Sequence, residues 1–172
     1  MTPTISTPRL VLRHLTKATP RNVAWLRDPA VVKYSQQQHA NHSLSSQLRY
    51  VTSFGGRSHL WGIYLVDQGS LHIGNISARH DLPNNVADIG IMIGDADFWH
   101  KGYGKEAWKA VCGWLLDKDC GAVRKLEAGC TKTNDAMLRI IRDTGFKQEG
   151  ELLNKFVFQG QLVSALMFGR TA

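Results

Sequence analysis

Asp88–Ala107 reads DIGIMIGDADFWHKGYGKEA, and this stretch decides the fold. An apolar run, Ile89–Ile93, ends in a short acidic and aromatic loop. A glycine-spaced turn, His100–Gly104, then opens directly into a helix-like segment, Lys105–Asp117. A strand that stops just before a glycine-rich turn and a helix N-terminus makes an anion site. The first N–H groups of the helix lack carbonyl partners, and the helix dipole adds partial positive charge beside them. Gly102 and Gly104 lack the Cβ atoms that would hold a phosphate away, and Lys101 and Lys105 add full charges. His100, Lys101, Gly102, Tyr103, Gly104 and Lys105 therefore read as a pyrophosphate cradle.

Gly102–Ala107 also matches the dinucleotide fingerprint G-x-G-x-x-G/A, with Glu127 at the distance of a ribose-binding acid. The match fails on context. Too little chain follows Gly104 for the rest of a dinucleotide-binding half, and too much precedes it for a motif that belongs on a first strand. A P-loop is excluded more simply, because G-x-x-x-x-G-K-[ST] does not occur.

Working outward, Arg9–Leu15 predicts a first strand, Arg21–Asp28 a short helix stopped by Pro29, and Leu44–Phe54 a helix with Ser43 as its N-cap. His59–Val66 and Ser70–Ala78 predict strands joined across Asp67-Gln68-Gly69, and Pro83-Asn84-Asn85 turns the chain into Val86–Ile93. Beyond the helix, Val123–Cys130 predicts a strand, and Asn134–Asp143 a helix ended by Gly145. Phe156–Phe158 and Leu162–Phe168 predict a closing hairpin. No linker or repeat interrupts this order, so residues 1–172 are expected to form one domain. The class is α+β: a mostly antiparallel, twisted sheet of about seven strands with helices on both faces.

Several segments, in chain order, carry a family resemblance. TPRLVLRHL (Thr7–Leu15), LHIGNIS (Leu71–Ser77), ADIGIMI (Ala87–Ile93), WHKGYGKEA (Trp99–Ala107), Asn134 and TGF (Thr144–Phe146) resemble the GNAT superfamily of acetyl-CoA-dependent N-acetyltransferases. Within it the likeness is to the branch of the ribosomal-protein N-terminal acetyltransferases. The family's [R/Q]-x-x-G-x-[G/A] stands here as Trp99-His100-Lys101-Gly102-Tyr103-Gly104, with Trp99 in the place of the usual Arg or Gln. The resemblance implies a sheet with a central splay, where the strand before the cradle and the strand after its helix part and the pantetheine arm of acetyl-CoA lies between them.

It also implies roles. The backbone of Ile91, Met92 and Ile93 would pair with the pantetheine, and Asn134 would contact it, although these residues equally suit a core strand and an N-cap. Asp88 lies where the family often carries a glutamate and would act as general base. The family's general acid is a Ser three residues after the Asn or a Tyr seven after it. Those positions hold Met137 and Ile141, which have no proton to give. Substrate selection is expected from the early helices, where Tyr34, Gln37 and His39, with their neighbours, form an uncharged hydrogen-bonding surface. That surface suits a hydroxyl-rich small amine, such as an amino sugar, or a peptide N-terminus.

The composition bounds the rest. A hydrophobic fraction of 43% with 20% charged residues is that of an ordinary globular chain, and no apolar run reaches the length of a membrane span. The N-terminus lacks the blocks of a signal peptide, and three unpaired cysteines without a C-x-x-C spacing indicate reduced thiols, so a cytoplasmic setting is expected. The histidines lack ligand spacing, so no metal is expected. A net charge of +7 attracts an anionic ligand such as CoA, or serves a ribosomal partner. Lys and Arg are scattered without a nucleic-acid-binding pattern, so DNA binding is not expected. A homodimer remains open. The competing reading is a non-catalytic acyl-CoA-binding or ribosome-associated regulatory module.

Overall fold

The computed structural model describes residues 2–171. One eight-stranded sheet is built from β1 (Ile5–Ser6), β2 (Leu10–His14), β3 (His59–Leu65), β4 (His72–Asp81), β5 (Val86–Ile93), β6 (Lys125–Thr131), β7 (Lys147–Phe158) and β8 (Gln161–Thr171). The order across the sheet is β1-β2-β3-β4-β5-β6-β8-β7. All neighbours are antiparallel except β5 and β6. Five α-helices complete the fold: α1 (Pro20–Arg27), α2 (Pro29–Val32), α3 (Leu44–Thr52), α4 (Tyr103–Leu116) and α5 (Asp135–Asp143).

The α+β class expected from the sequence is present, as a mostly antiparallel sheet with eight strands among the described residues where about seven were expected. Helix starts follow the capping chemistry. Ser43 and Ser46 form a reciprocal capping box for α3, as Thr19 and Asn22 do for α1. Pro29 ends α1 as expected, but it also opens α2: its fixed φ suits the first helical position, and the Asp28 carboxylate caps the Ala30 N–H at 2.9 Å.

The strand β7 is longer than the expected Phe156–Phe158. As an edge strand, exposed along most of its length, it lacks a buried face to impose alternation. Two register shifts and a left-handed Asn154 (φ 53°) break its pattern further.

The core lies between the sheet and the two C-terminal helices. Helix α4 buries Ala107, Trp108, Val111, Cys112 and Leu115, whose spacing keeps them on one stripe. They meet Trp61, Ile63, Ile76, Ile89 and Leu126 of the sheet, while Leu138 and Ile141 of α5 close the same cluster. A smaller cluster of Leu15, Val51, Phe54 and Leu60 seats α3. Trp25 of α1 packs against Gly94, and a Cβ at Gly94 would overlap its ring. That glycine lets the α1 region dock on the end of β5.

Candidate active site

The parallel pair β5–β6 is short. It joins Val86, Ala87 and Asp88 to Lys125, Leu126 and Glu127, and no pairing continues beyond. Ile89–Ile93 and Ala128–Thr131 therefore diverge, and this is the splay expected from the resemblance. On its other side β5 stays paired to β4 as far as Ile93, and the Gly94 N–H donates to the Ile73 carbonyl at 2.9 Å. Backbone groups alternate in direction along a strand. If Gly94 and Met92 face β4, Ile91 and Ile93 face the gap. The Ile93 carbonyl is taken by the Trp99 indole N–H at 2.7 Å. Trp99 thus braces the end of β5, and the Ile91 peptide and the Ile93 N–H remain for a ligand. Met92, expected with them, presents its backbone to Asn75 of β4 instead.

The cradle closes one end of the gap. His100 (φ 59°) and Gly102 (φ 83°) are both left-handed, and Gly102 caps α4 without a side-chain hydrogen bond. The first helical bond is that of the Glu106 N–H to the Gly102 carbonyl at 3.0 Å. The N–H groups of Tyr103, Gly104 and Lys105 precede it and have no backbone acceptor. These donors fit an anionic group. Gly104 lies flush with Ile93 and Ile140, at 3.6 and 3.5 Å from where its Cβ would stand.

The charges differ from the sequence expectation. Lys105 is held by Asp143 at 2.6 Å, and Lys101 leans over the Phe98 ring. Tyr103 packs between Arg9 and Phe98, so its N–H rather than its ring serves the cradle. Asn134 spends its Oδ1 as the N-cap of α5, accepting from the Met137 N–H at 3.2 Å. Met137 packs at the rim of the core and Ile141 is buried within it, so neither position presents a polar group to the gap.

A cleft of about 360 Å³ opens on the other side, against Gly90, Ile91 and Met92 of β5. Its polar lining includes Gln37, Asn41, His42, Gln47, Tyr50 and Asn75, with no carboxylate and no Lys or Arg. Two of the three substrate residues expected from the sequence stand outside it. Tyr34 stacks on Phe158 at 5.6 Å, and His39 is exposed. The 3-10 turn Gln36–His39 has about three residues per turn, so Gln37 and His39 cannot face the same way. The histidine of the cleft is His42. It is buried, with Nε2 donating to the Gln37 carbonyl at 2.8 Å, which ties the turn to the start of α3.

Asp88 lies one strand repeat before Gly90, about 7 Å along β5. Solvent still reaches it. Even so, its carboxyl is pushed above the ordinary Asp value, first by lost solvation and then by Glu127 across the last β5–β6 pair. On β6 the Cys130 side chain packs toward the core, and burial pushes its thiol up to about 11. Among the described residues no cluster of His, Cys, Asp and Glu has the makings of a metal site.

A sequence model of the acetyltransferase (GNAT) domain matches residues 9–147, which is most of the chain. The chain belongs to the GNAT acetyltransferases. Solved GNAT structures share its fold from end to end at low identity. A GNAT-family acetyltransferase from Bacillus anthracis superposes with a TM-score of 0.80 at 17% identity, covering 98% of both chains. The microcin C7 self-immunity acetyltransferase MccE, solved with acetyl-CoA and AMP, gives 0.79 at 16% identity over 96% of this chain and 94% of its own. RimL, the ribosomal L7/L12 α-N-protein acetyltransferase solved with coenzyme A, gives 0.76 at 17% identity over 98% of both. No curated protein sequence matches significantly.

The splay, the glycine turn and the cleft all meet along the end of β5. Sequence reading singled out the glycine turn and β5, but not Gln47, Tyr50 and Asn75 of the cleft. They come from α3 and β4, and only the fold brings them together. The LHIGNIS segment held one usable signal, a polar Asn75 in an otherwise small and apolar strand.

Proposed function

We propose that this protein transfers the acetyl group of acetyl-CoA to a primary amine bound in the cleft, by direct attack on the thioester. The observation that carries this reading is the end of β5–β6 pairing at Asp88 and Glu127, which leaves backbone groups free between an anion cradle and a polar cleft. The free N–H groups of Tyr103, Gly104 and Lys105 would hold the pyrophosphate, and Ile91 and Ile93 the pantetheine arm. Bound acetyl-CoA supplies an activated carbonyl at the mouth of the cleft. A strand N–H pointed at that carbonyl stabilises the charge that develops on its oxygen. Asp88 would take a proton from the incoming ammonium through water, a task that its raised pKa favours. Met137 and Ile141 offer no acid, so the departing thiolate is assigned a proton from water. A thiol held near 11 is not the thiolate that a cysteine nucleophile requires, which favours direct transfer over an acyl-Cys130 intermediate.

The uncharged lining narrows the acceptor. A polyamine or a multiply charged aminoglycoside would meet no carboxylate there. An amine on a neutral, hydroxyl-rich body, such as an amino sugar, is matched by the amide and hydroxyl groups of Gln37, Asn41, Gln47, Tyr50 and Asn75. A peptide N-terminus fits the same amide groups, and the fold shared with RimL supports it as the second reading.

Gly102→Val tests the cradle. A β-branched residue at φ 83° is strained, and its Cβ would come within 3.4 Å of the Arg9 guanidinium, so the turn that presents the free N–H donors must shift. Acetyl-CoA affinity should fall at least about tenfold, the equivalent of one or two lost hydrogen bonds. Calorimetry showing unaltered affinity in a folded variant would remove the cradle from the site.

A further inference from the structure

We propose that Arg9 is a positioning residue for the cradle: it draws the Glu106 carboxylate away from the anion site and pins the Lys101 carbonyl, so that the following N–H groups stay free for phosphate. This deepens the acetyl-CoA reading and rests on it.

Glu106 is a liability where it stands. It lies in the first turn of α4, where a carboxylate is attracted by the helix dipole and competes for the same free N–H groups as a phosphate. Its full negative charge would also repel a pyrophosphate. In the structure both of its oxygens are occupied by Thr7 and Arg9. Oε2 accepts from Arg9 Nε and ion-pairs with Arg9 Nη2, both at 2.6 Å. Oε1 accepts from the Thr7 hydroxyl at 2.7 Å and from the Arg9 backbone N–H at 3.1 Å.

The guanidinium has a second task. Arg9 Nη1 donates to the Lys101 carbonyl at 3.0 Å, immediately before the left-handed Gly102. A Lys101 carbonyl held by this bond fixes the peptide plane that carries the Gly102 N–H. The same group covers the Tyr103 ring at 4.4 Å and comes within 3.4 Å of where a Gly102 Cβ would stand. Arg9 thus reaches Lys101, Tyr103 and Glu106 from the bend just before β2, 97 residues away from Glu106 in sequence. The planar fork is what allows one side chain to serve a carboxylate and a carbonyl together.

The test compares Arg9→Gln, Glu106→Gln and the double variant in steady-state kinetics and in calorimetry with CoA. Arg9→Gln leaves Glu106 charged beside the cradle, so KM for acetyl-CoA and Kd for CoA should rise about tenfold while kcat stays within about twofold. Glu106→Gln in that background removes the repulsion, and affinity should recover to within about threefold of the parent. The Arg9→Gln defect should also shrink at high salt, where the repulsion is screened. A packing role would show none of this recovery. Arg9→Lys keeps the charge without the fork and should fall between, which preserves the test if Arg9→Gln melts early. A folded Arg9→Gln with CoA affinity within twofold of the parent would overturn the proposal. So would a double variant no better than Arg9→Gln. If Gly102→Val weakens CoA binding and Arg9→Gln does not, the positioning role alone fails. If neither does, the cradle itself is misplaced.

Discussion

Asp88→Asn should lower kcat by about 10²–10⁴-fold, the usual cost of losing a general base, and leave acetyl-CoA affinity nearly as it was. Asn keeps the shape and removes the proton acceptor, and Asp88 touches none of the cradle. The deficit should narrow at high pH, where more of the acceptor arrives as free amine. In the parent, turnover should rise with pH through the Asp88 pKa, which stands above the ordinary Asp value.

The same shift has a consequence for stability. A carboxyl whose folded pKa is raised binds its proton more tightly in the folded state. Its ionisation therefore costs stability as pH climbs from the unfolded pKa through the folded one. Near neutral pH, Asp88→Asn should melt higher than the parent even as turnover collapses. Near-normal turnover across pH, checked by thiol release, would move the base elsewhere.

Trp108→Ala should cost about 3–5 kcal/mol, as large-to-small replacements of buried aromatic residues do. Trp108 is fully buried on α4, its ring 5.7 Å from that of Phe146, in the layer that holds the cradle helix to the sheet. Denaturant unfolding measures the loss directly. Trp108→Phe should cost much less, because most of the packed volume remains. At temperatures where the alanine variant stays folded, its acetyl-CoA affinity should fall as well, since α4 carries the free N–H groups. A loss well below 1 kcal/mol would mean that α4 is held from elsewhere.

What could be read from the sequence was local. The glycine turn is encoded within a few residues, where two glycines and a helix start follow one another, and the helix caps at Ser43 and Asn134 are equally short-range. The splay is a tertiary feature, and only the family resemblance made it visible. Residues outside such local signals were lost for physical reasons. Arg9 and Glu106 have nothing in their neighbourhoods to announce a pair. That His42 and not His39 lines the cleft follows from the 3-10 turn Gln36–His39, which polar residues do not mark. The edge strand β7 has too little buried surface to print a pattern.

The central claim is that acetyl-CoA held in the splay loses its acetyl group to an amine in the cleft. The most direct test is release of free CoA thiol from acetyl-CoA by the purified protein, with and without acceptors drawn from amino sugars, polyamines and N-terminal peptides. Release should depend on the acceptor, be strongest with a neutral hydroxyl-rich amine or a peptide N-terminus, and fall away in Asp88→Asn. Tight acetyl-CoA binding with no acceptor-dependent release from any class would contradict the account and leave a binding module in place of an enzyme.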